Sequence, residues 1–260
     1  SNCEMANEYL VRDKEMYQGD SILWRRELKK QWECLTETIM KGKRIHYIPE
    51  DSEKELMKRN QKYISAMDAI LKEKARKIVS MFKGIELEGQ ILDVGAGSGS
   101  FSIEFLRKFP QMNACLLDLE NVIRIDMERY KGLRSIQYHV ENILEEWTIQ
   151  GQYKIVILSN IIHAYSEPEV RHILKQAVQH LSQGGYMVIH DFFFEHSTLK
   201  ARLSDLNMMI NTYNGKVYYG KWICECLEDL GLVSSRLICL EGDTSVVFAS
   251  TESRSLEPLC

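Results

Sequence analysis

Residues 91–100 read ILDVGAGSGS. A strand-like apolar run ends at Val94, glycines stand at alternate positions 95, 97 and 99, and an amphipathic stretch, SIEFLRKF, follows. Strand, glycine turn and helix in that order bring helix amides against a ligand, because glycine readily takes the sharp backbone such a turn needs. A second stretch, LSNIIHAYS at 158–166, places His163 behind another apolar run. The two stretches raise the question of whether one active site holds both.

Outward from the glycines the chain alternates short apolar runs with amphipathic ones. QILDV, ACLLDL, SIQYHV, KIVILSN, GYMVIHDFFF, SSRLICL and TSVVFAS read as strands. NVIRIDMERY, EPEVRHILKQAVQHL, LKARLSDLNMMIN and WICECLEDL read as helices between them. The pattern predicts an α/β fold with a mostly parallel seven-stranded sheet covered on both faces. Glu241-Gly242-Asp243 between the last two strands predicts a closing antiparallel hairpin. Upstream the text is charged and helix-periodic. SILWRRELKKQWECLTETIMKGK sets Ile22, Leu23, Leu28, Trp32, Leu35, Ile39 and Met40 along one side, and NQKYISAMDAILKEKARKIVSMF repeats the pattern beyond a loop at Tyr47-Ile48-Pro49. The expected division is a helical region, 1–86, followed by a ligand-binding domain, 87–260.

Composition narrows the partners. With 260 residues, 45% of them hydrophobic, the chain is long enough for a sizeable core. A net charge of -4 offers no basic footprint for phosphates, so nucleic acid is not an expected partner. Seven cysteines, odd in number and without a C-x-x-C, argue against a disulfide framework and a zinc knuckle. No apolar run reaches the roughly 18 residues of a membrane span and no signal peptide is visible, so the expectation is a cytoplasmic protein away from membranes. His190 and His196, on either side of Phe192-Phe193-Phe194, lack a third ligand at metal-binding spacing, and no set of carboxylates suits magnesium. No metal is expected.

Asp118 closes the strand ACLLDL about 20 residues past the glycines, where a carboxylate accepts both hydroxyls of a ribose. Asp93, two residues before Gly95, is unwelcome beside a pyrophosphate but suits an ammonium group. The spacing is G-x-G-x-G, with Ser100 after Gly99, and departs from the dinucleotide fingerprint G-x-G-x-x-G. The combination D-x-G-x-G-x-G resembles the S-adenosylmethionine motif of class I methyltransferases. LSNIIHAYSEPE, HLSQGGYMVIHDFF and LNMMINTYNGKVYYGKW are similar to successive blocks of the caffeate, hydroxyindole and acetylserotonin O-methyltransferases, and NEYLVRDKEMYQGD and QWECLTETIMKGK to the segment after that family's winged-helix dimerisation domain. No counterpart of the winged helix is expected in this chain.

The resemblance implies a Rossmann-like fold binding S-adenosylmethionine, with S-adenosylhomocysteine as product. It places Gly95, Gly97 and Gly99 against the cofactor through backbone, Asp93 at its amino-acid end, Asp118 on the ribose and Leu119 on the adenine. Asn142 stands where the family has an aspartate that accepts the adenine amino group, and an amide oxygen can do the same. Ser159 stands where the plant enzymes have a cofactor-contacting lysine. His163 falls on the catalytic base, and Asp191 on a glutamate that orients it. Ala164 and Val217 replace further carboxylates of the family. Met67, Met208 and Asn211 match positions lining the acceptor pocket, although methionines at helical spacing equally suit core packing.

The sulfonium methyl is already activated, so the protein must chiefly align donor and acceptor and, for a phenol, remove its proton. The function expected is methylation of a small molecule on oxygen by a homodimer. The alternatives are a nitrogen or carbon acceptor, or a cofactor-binding scaffold without activity.

Overall fold

The computed structural model describes residues 2–42, 52–234 and 237–259. The expected loop at Tyr47-Ile48-Pro49 lies outside the described residues. At the amino end stand α1 (Glu4–Tyr9), α2 (Gly19–Glu27), α3 (Lys29–Glu33), α4 (Leu35–Lys41) and the long α5 (Glu53–Met81). The sheet region follows as β1 (Gln90–Val94), α6 (Ser100–Lys108), β2 (Asn113–Asp118), α7 (Glu120–Arg129), β3 (Ile136–Val140) and β4 (Tyr153–Ser159). A 3-10 turn at Ile162–Ala164 leads into α8 (Glu167–Gln179), β5 (Leu181–Asp191), α9 (Thr198–Asn211) and α10 (Gly220–Asp229). Three strands close the fold: β6 (Val233–Ser234), β7 (Ile238–Cys239) and β8 (Ser245–Ser250).

The sheet order is β3-β2-β1-β4-β5-β8-β6, with β7 also paired to β8. β1 to β5 run parallel, and β8 is antiparallel to β5, β6 and β7. Among the described residues the sheet has eight strands, where the sequence pattern predicts seven. Val233–Ser234 and Ile238–Cys239 both pair with β8, on either side of residues 235–236, which lie outside the described residues. The order reverses between β1 and β4, and a crevice opens at the carboxyl ends of strands flanking such a switch point.

Strand alternation divides the core. On one face Leu92, Val94, Val156, Leu158, Met187 and Ile189 pack with α8 and α10. On the other, Ile91, Ile155, Ile157, Val188 and Phe248 pack with Phe101 and Phe105 of α6 and with Leu71, Ala75 and Ile78 of α5. Phe82, just past α5, meets Phe105, Tyr186 and Phe248 edge-on at centroid distances of 5.3, 5.2 and 5.5 Å. A capping box between Ser52 and Glu55 starts α5, and its 29 residues then carry it from the first helices onto the sheet.

The short helices depart from expectation. SILWRRELKKQWECLTETIMKGK does not form one amphipathic rod. It breaks at Leu28 and Cys34, where Gln31 N–H donates to Leu28 O and Cys34 N–H to Gln31 O, each at 3.1 Å. Such tighter turns rotate the apolar stripe out of phase. Ile22, Leu23, Ile39 and Met40 are consequently exposed, while Ser21 and Thr38 are buried. Ser21 is satisfied there by donating to Gln18 O at 2.8 Å.

Candidate active site

The turn after β1 is set by glycine. Gly95, Gly97 and Gly99 have φ of 62°, 56° and 64°, a region that L side chains rarely adopt. A Cβ on Gly95 would lie 2.3 Å from Ile161 Cδ1, so the loop after β4 closes tightly over this turn. At Gly97 the nearest atom to such a Cβ is 3.9 Å away, leaving bare backbone beside open space. That combination suits close approach of a ligand.

Asp118, at the end of β2, braces the turn from the next strand. Its Oδ2 accepts from Gly97 N–H at 2.9 Å and its Oδ1 from Leu119 N–H at 2.7 Å. Each oxygen keeps a lone pair for a ribose hydroxyl. Burial raises the Asp118 carboxyl above its ordinary range, against those two backbone hydrogen bonds. Leu119 is half exposed at the rim, an apolar surface of the kind an adenine ring covers. Asn142 follows β3 and caps its own turn: its Oδ1 accepts from Leu144 N–H and its Nδ2 donates to Glu145, both at 3.1 Å. Asp93 lies buried on the α5–α6 face, where Ser102 Oγ donates to its Oδ2 at 2.8 Å. Burial pushes its carboxyl up to about 7, and the bonds from Ser102 oppose the rise. A neighbouring ammonium would favour its charged form. Ser159 ends β4 with its Oγ 3.0 Å from His190 Nδ1.

Beyond β4 the chain turns sharply. Asn160 takes a left-handed φ of 54°, and the 3-10 turn that follows brings His163 over the end of β5. His163 Nδ1 lies 2.5 Å from Asp191 Oδ1. Asp191 is itself fixed by Phe192 N–H donating to Oδ1 at 2.7 Å and His163 N–H to Oδ2 at 3.3 Å. A carboxylate only accepts, so Nδ1 carries the proton and Nε2 presents its lone pair. Asp191 is 1% exposed and His163 is 13% exposed, so the pair is shielded while the imidazole still reaches an accessible surface. Ala164 follows within the same turn, and Val217 is buried, its N–H donating to Asp205 Oδ1 at 2.8 Å. Gly215 packs so closely beneath the turn that a Cβ there would lie 2.3 Å from His163 O.

Of the residues expected to line an acceptor pocket, Met208 of α9 is buried and Met67 of α5 is half-buried against the α5–α6 core. Asn211 donates through its Nδ2 to Asn207 O and Oδ1 at 3.0 and 2.9 Å, and Asn207 Oδ1 also accepts from Trp32 Nε1 at 3.2 Å. These bonds join α9 to α3.

Two residues of α5 come to the site without a sequence signal. Tyr63 packs edge-on against Trp24 at 5.3 Å and is 41% exposed. Its hydroxyl is nonetheless pushed up to about 12, first by burial and then by Asp118, Tyr165 and Asp191. Asp68 accepts from Ser100 Oγ at 2.7 Å and pairs with Arg129 at 2.8 Å, tying α5 to the start of α6 and to α7. Nothing in the spacing of YISAMDAIL relates either residue to the glycines, since they meet only through the packing of α5 on α6 and α7. Among the described residues no three His, Cys, Asp or Glu side chains are grouped to hold a metal ion.

Comparison with known proteins matches residues 32–232 to the model of the O-methyltransferase domain family. A 3-hydroxy-5-methyl-1-naphthoate 3-O-methyltransferase of Streptomyces sahachiroi is 23% identical over 91% of this chain and 70% of its own. A myricetin 3'-O-methyltransferase of Solanum lycopersicum is 28% identical over 60% of this chain, which spans 43% of that enzyme. Among solved structures, human N-acetylserotonin methyltransferase in complex with SAM superposes with a TM-score of 0.84 at 14% identity, over 97% of this chain and 75% of that one. An O-methyltransferase family protein from Burkholderia thailandensis gives a TM-score of 0.82 at 18% identity, over 97% of this chain and 77% of its own. These two share the fold.

Proposed function

Because the chain belongs to the O-methyltransferase domain family, a family of small-molecule methyltransferases, we propose that His163 is the general base of an S-adenosylmethionine-dependent O-methylation. The observation that carries this reading is the His163–Asp191 pair, at 2.5 Å, beside the Gly95–Gly99 turn. When bound, S-adenosylmethionine supplies a methyl group on a positively charged sulfur, electrophilic enough to need no further activation. Gly97 would offer bare backbone, Asp118 would take the ribose hydroxyls, Asp93 would face the ammonium, and Leu119 and Asn142 would flank the adenine. His163 Nε2 would accept the hydroxyl proton of the acceptor. Asp191 holds the imidazole in the tautomer that can accept it and stabilises the imidazolium formed. Met67, Met208 and Asn211 line the acceptor side. Labelled S-adenosylmethionine offered with phenols and amines tests the reading: transfer to phenols, lost in His163→Ala, is expected, and transfer to amines alone would overturn it.

The division into a helical cover, 1–86, and a cofactor domain, 87–260, belongs to this proposal, as does a homodimer. Its support is the exposed apolar set Ile22, Leu23, Ile39 and Met40, a surface that a second copy would cover. Sedimentation as a monomer would argue against the dimer. A cytoplasmic setting without metal, membrane or nucleic-acid partner completes the reading. It is supported by the free thiols of Cys3, Cys34, Cys115, Cys224, Cys226 and Cys239 and by the absence, among the described residues, of any helix able to cross a membrane.

A further inference from the structure

His190 belongs to neither the turn nor the base, yet it lies fully buried between them. It faces Ser159 in the register of β4 and β5, and strand alternation puts both on the α5–α6 face with Asp93. Its Nδ1 is 3.0 Å from Ser159 Oγ and its Nε2 is 2.8 Å from Thr244 Oγ1. Thr244 Oγ1 in turn accepts from Lys74 Nζ at 2.7 Å, and Lys74 pairs with Asp243 at 2.8 Å. A chain of hydrogen bonds thus runs from α5 through β8 and β5 to the end of β4.

The direction of that chain follows from its far end. An ammonium only donates, so Lys74 fills a lone pair of Thr244 Oγ1 and leaves the threonine proton to be placed. Thr244 is 2% exposed, and the acceptor within reach of its hydroxyl among the described residues is His190 Nε2. Burial, with the Lys74 charge beside it, drives the His190 imidazole down to about 3, so the ring is neutral and has one N–H to give. With Nε2 accepting, that N–H is on Nδ1 and points at Ser159 Oγ. Ser159, half-buried at the crevice, accepts from His190 and turns its own proton outward.

We infer that Lys74, Thr244 and His190 form a positioning relay that fixes the Ser159 hydroxyl as a hydrogen-bond donor to the carboxylate of the cofactor's amino-acid end. This rests on the proposed S-adenosylmethionine site. Sheet order supplies the ligand group: a nucleoside held at Asp118 on β2 extends across β1 towards β4. Asp93 pairs with Ile157, so Ser159 stands one strand across and two residues further along. At roughly 4.8 Å between strands and about 3.3 Å per residue the gap is about 8 Å, which a zwitterionic amino acid between two side chains bridges. Asp93 on β1 then meets its ammonium, and Ser159 on β4 meets its carboxylate. The complementarity is acceptor for cation, donor for anion.

Two measurements test the relay. Nitrogen-15 NMR of the intact protein, with His190 assigned by its loss in His190→Gln, should show Nδ1 protonated and Nε2 bare between pH 5 and 8. The opposite tautomer would overturn the inference. Calorimetry should then find that Ser159→Ala weakens S-adenosylhomocysteine about tenfold or more, as loss of a bond to a charged group does, while 5'-methylthioadenosine, which lacks the amino-acid end, binds unchanged. Thr244→Val should weaken S-adenosylhomocysteine alone in the same way, and the double variant should be no worse than Ser159→Ala. Equal weakening of both ligands, or of neither, would refute it. Failure of the unaltered protein to bind S-adenosylhomocysteine would instead overturn the cofactor site itself.

Discussion

From Val94 to Ser100 the crevice is lined by backbone: three glycines with positive φ, and one carboxylate, Asp118, accepting the N–H groups that shape the turn. Across the switch point, from Ser159 to Asp191, it is lined by side chains, with His163, Asp191 and Ser159 each held by a partner on another element. A backbone cradle of this kind suits close approach of the cofactor proposed above. Side chains set against one another decide where a proton goes. The first half is therefore vulnerable to an added Cβ or a lost carboxylate, and the second to a lost nitrogen or a broken orienting bond.

The largest expected effect falls on the side-chain half. His163→Ala should lower single-turnover methyl transfer by about 100- to 10,000-fold, the range for a positioned base, while S-adenosylhomocysteine affinity stays the same. Asp191→Asn should cost less, because the imidazole remains. Transfer at the normal rate in the alanine variant would erase the contrast and point to an acceptor that needs no base.

In the backbone half the expected losses are of binding. Asp118→Ala should weaken S-adenosylhomocysteine in titration calorimetry by about 1.5 to 3 kcal/mol for each bond whose partner is left buried and unsatisfied. NAD should show no binding to the unaltered protein. Unchanged affinity in Asp118→Ala would move the ribose elsewhere. Gly97→Ala should cost about 1 to 2 kcal/mol in denaturant unfolding, from the left-handed backbone alone. It should also weaken the ligand, since its Cβ would enter open space. A loss of stability without a loss of affinity would show that nothing rests on that backbone.

The smallest effect is a pH dependence. With its carboxyl raised to about 7, Asp93 binds more protons folded than unfolded between about pH 4 and 7. Over that window its contribution to the ligand-free protein therefore falls as pH rises, then levels off. Asp93→Asn should flatten this part of the profile. If the cofactor ammonium sits beside Asp93, binding at pH 6 should also release protons, seen as a heat that varies with buffer and shrinks in the asparagine variant.

The same contrast explains what could be read from the sequence. Glycine spacing and strand alternation report backbone, so the α/β order, the turn and Asp118 were legible. The pairing of His163 with Asp191 was not legible from spacing; it came through resemblance. Asp68 reaches Ser100 and Arg129 from a helix whose periodicity speaks only of burial. The single amphipathic rod expected over 21–43 failed because two tight turns rotate its stripe, and hydrophobic periodicity carries no warning of such turns. The sequence shows His190 only as a histidine without metal-binding spacing; the fold buries it, and its two hydrogen-bonding neighbours lie 31 and 54 residues away in the chain.

β8 lies between β5 and the pair β6 and β7, antiparallel to all three. A ribosome delivers Leu181–Asp191 long before Ser245–Ser250, so throughout that interval β5 is an open edge carrying unpaired N–H and C=O groups. Asp191, the brace of the imidazole, lies on that waiting edge, and the Thr244 link to His190 arrives only with the last strand. During synthesis the Gly95–Gly99 turn and the His163–Asp191 pair can form first, and the His190–Thr244 link that holds Ser159 is completed only when one of the last strands to emerge slots into place.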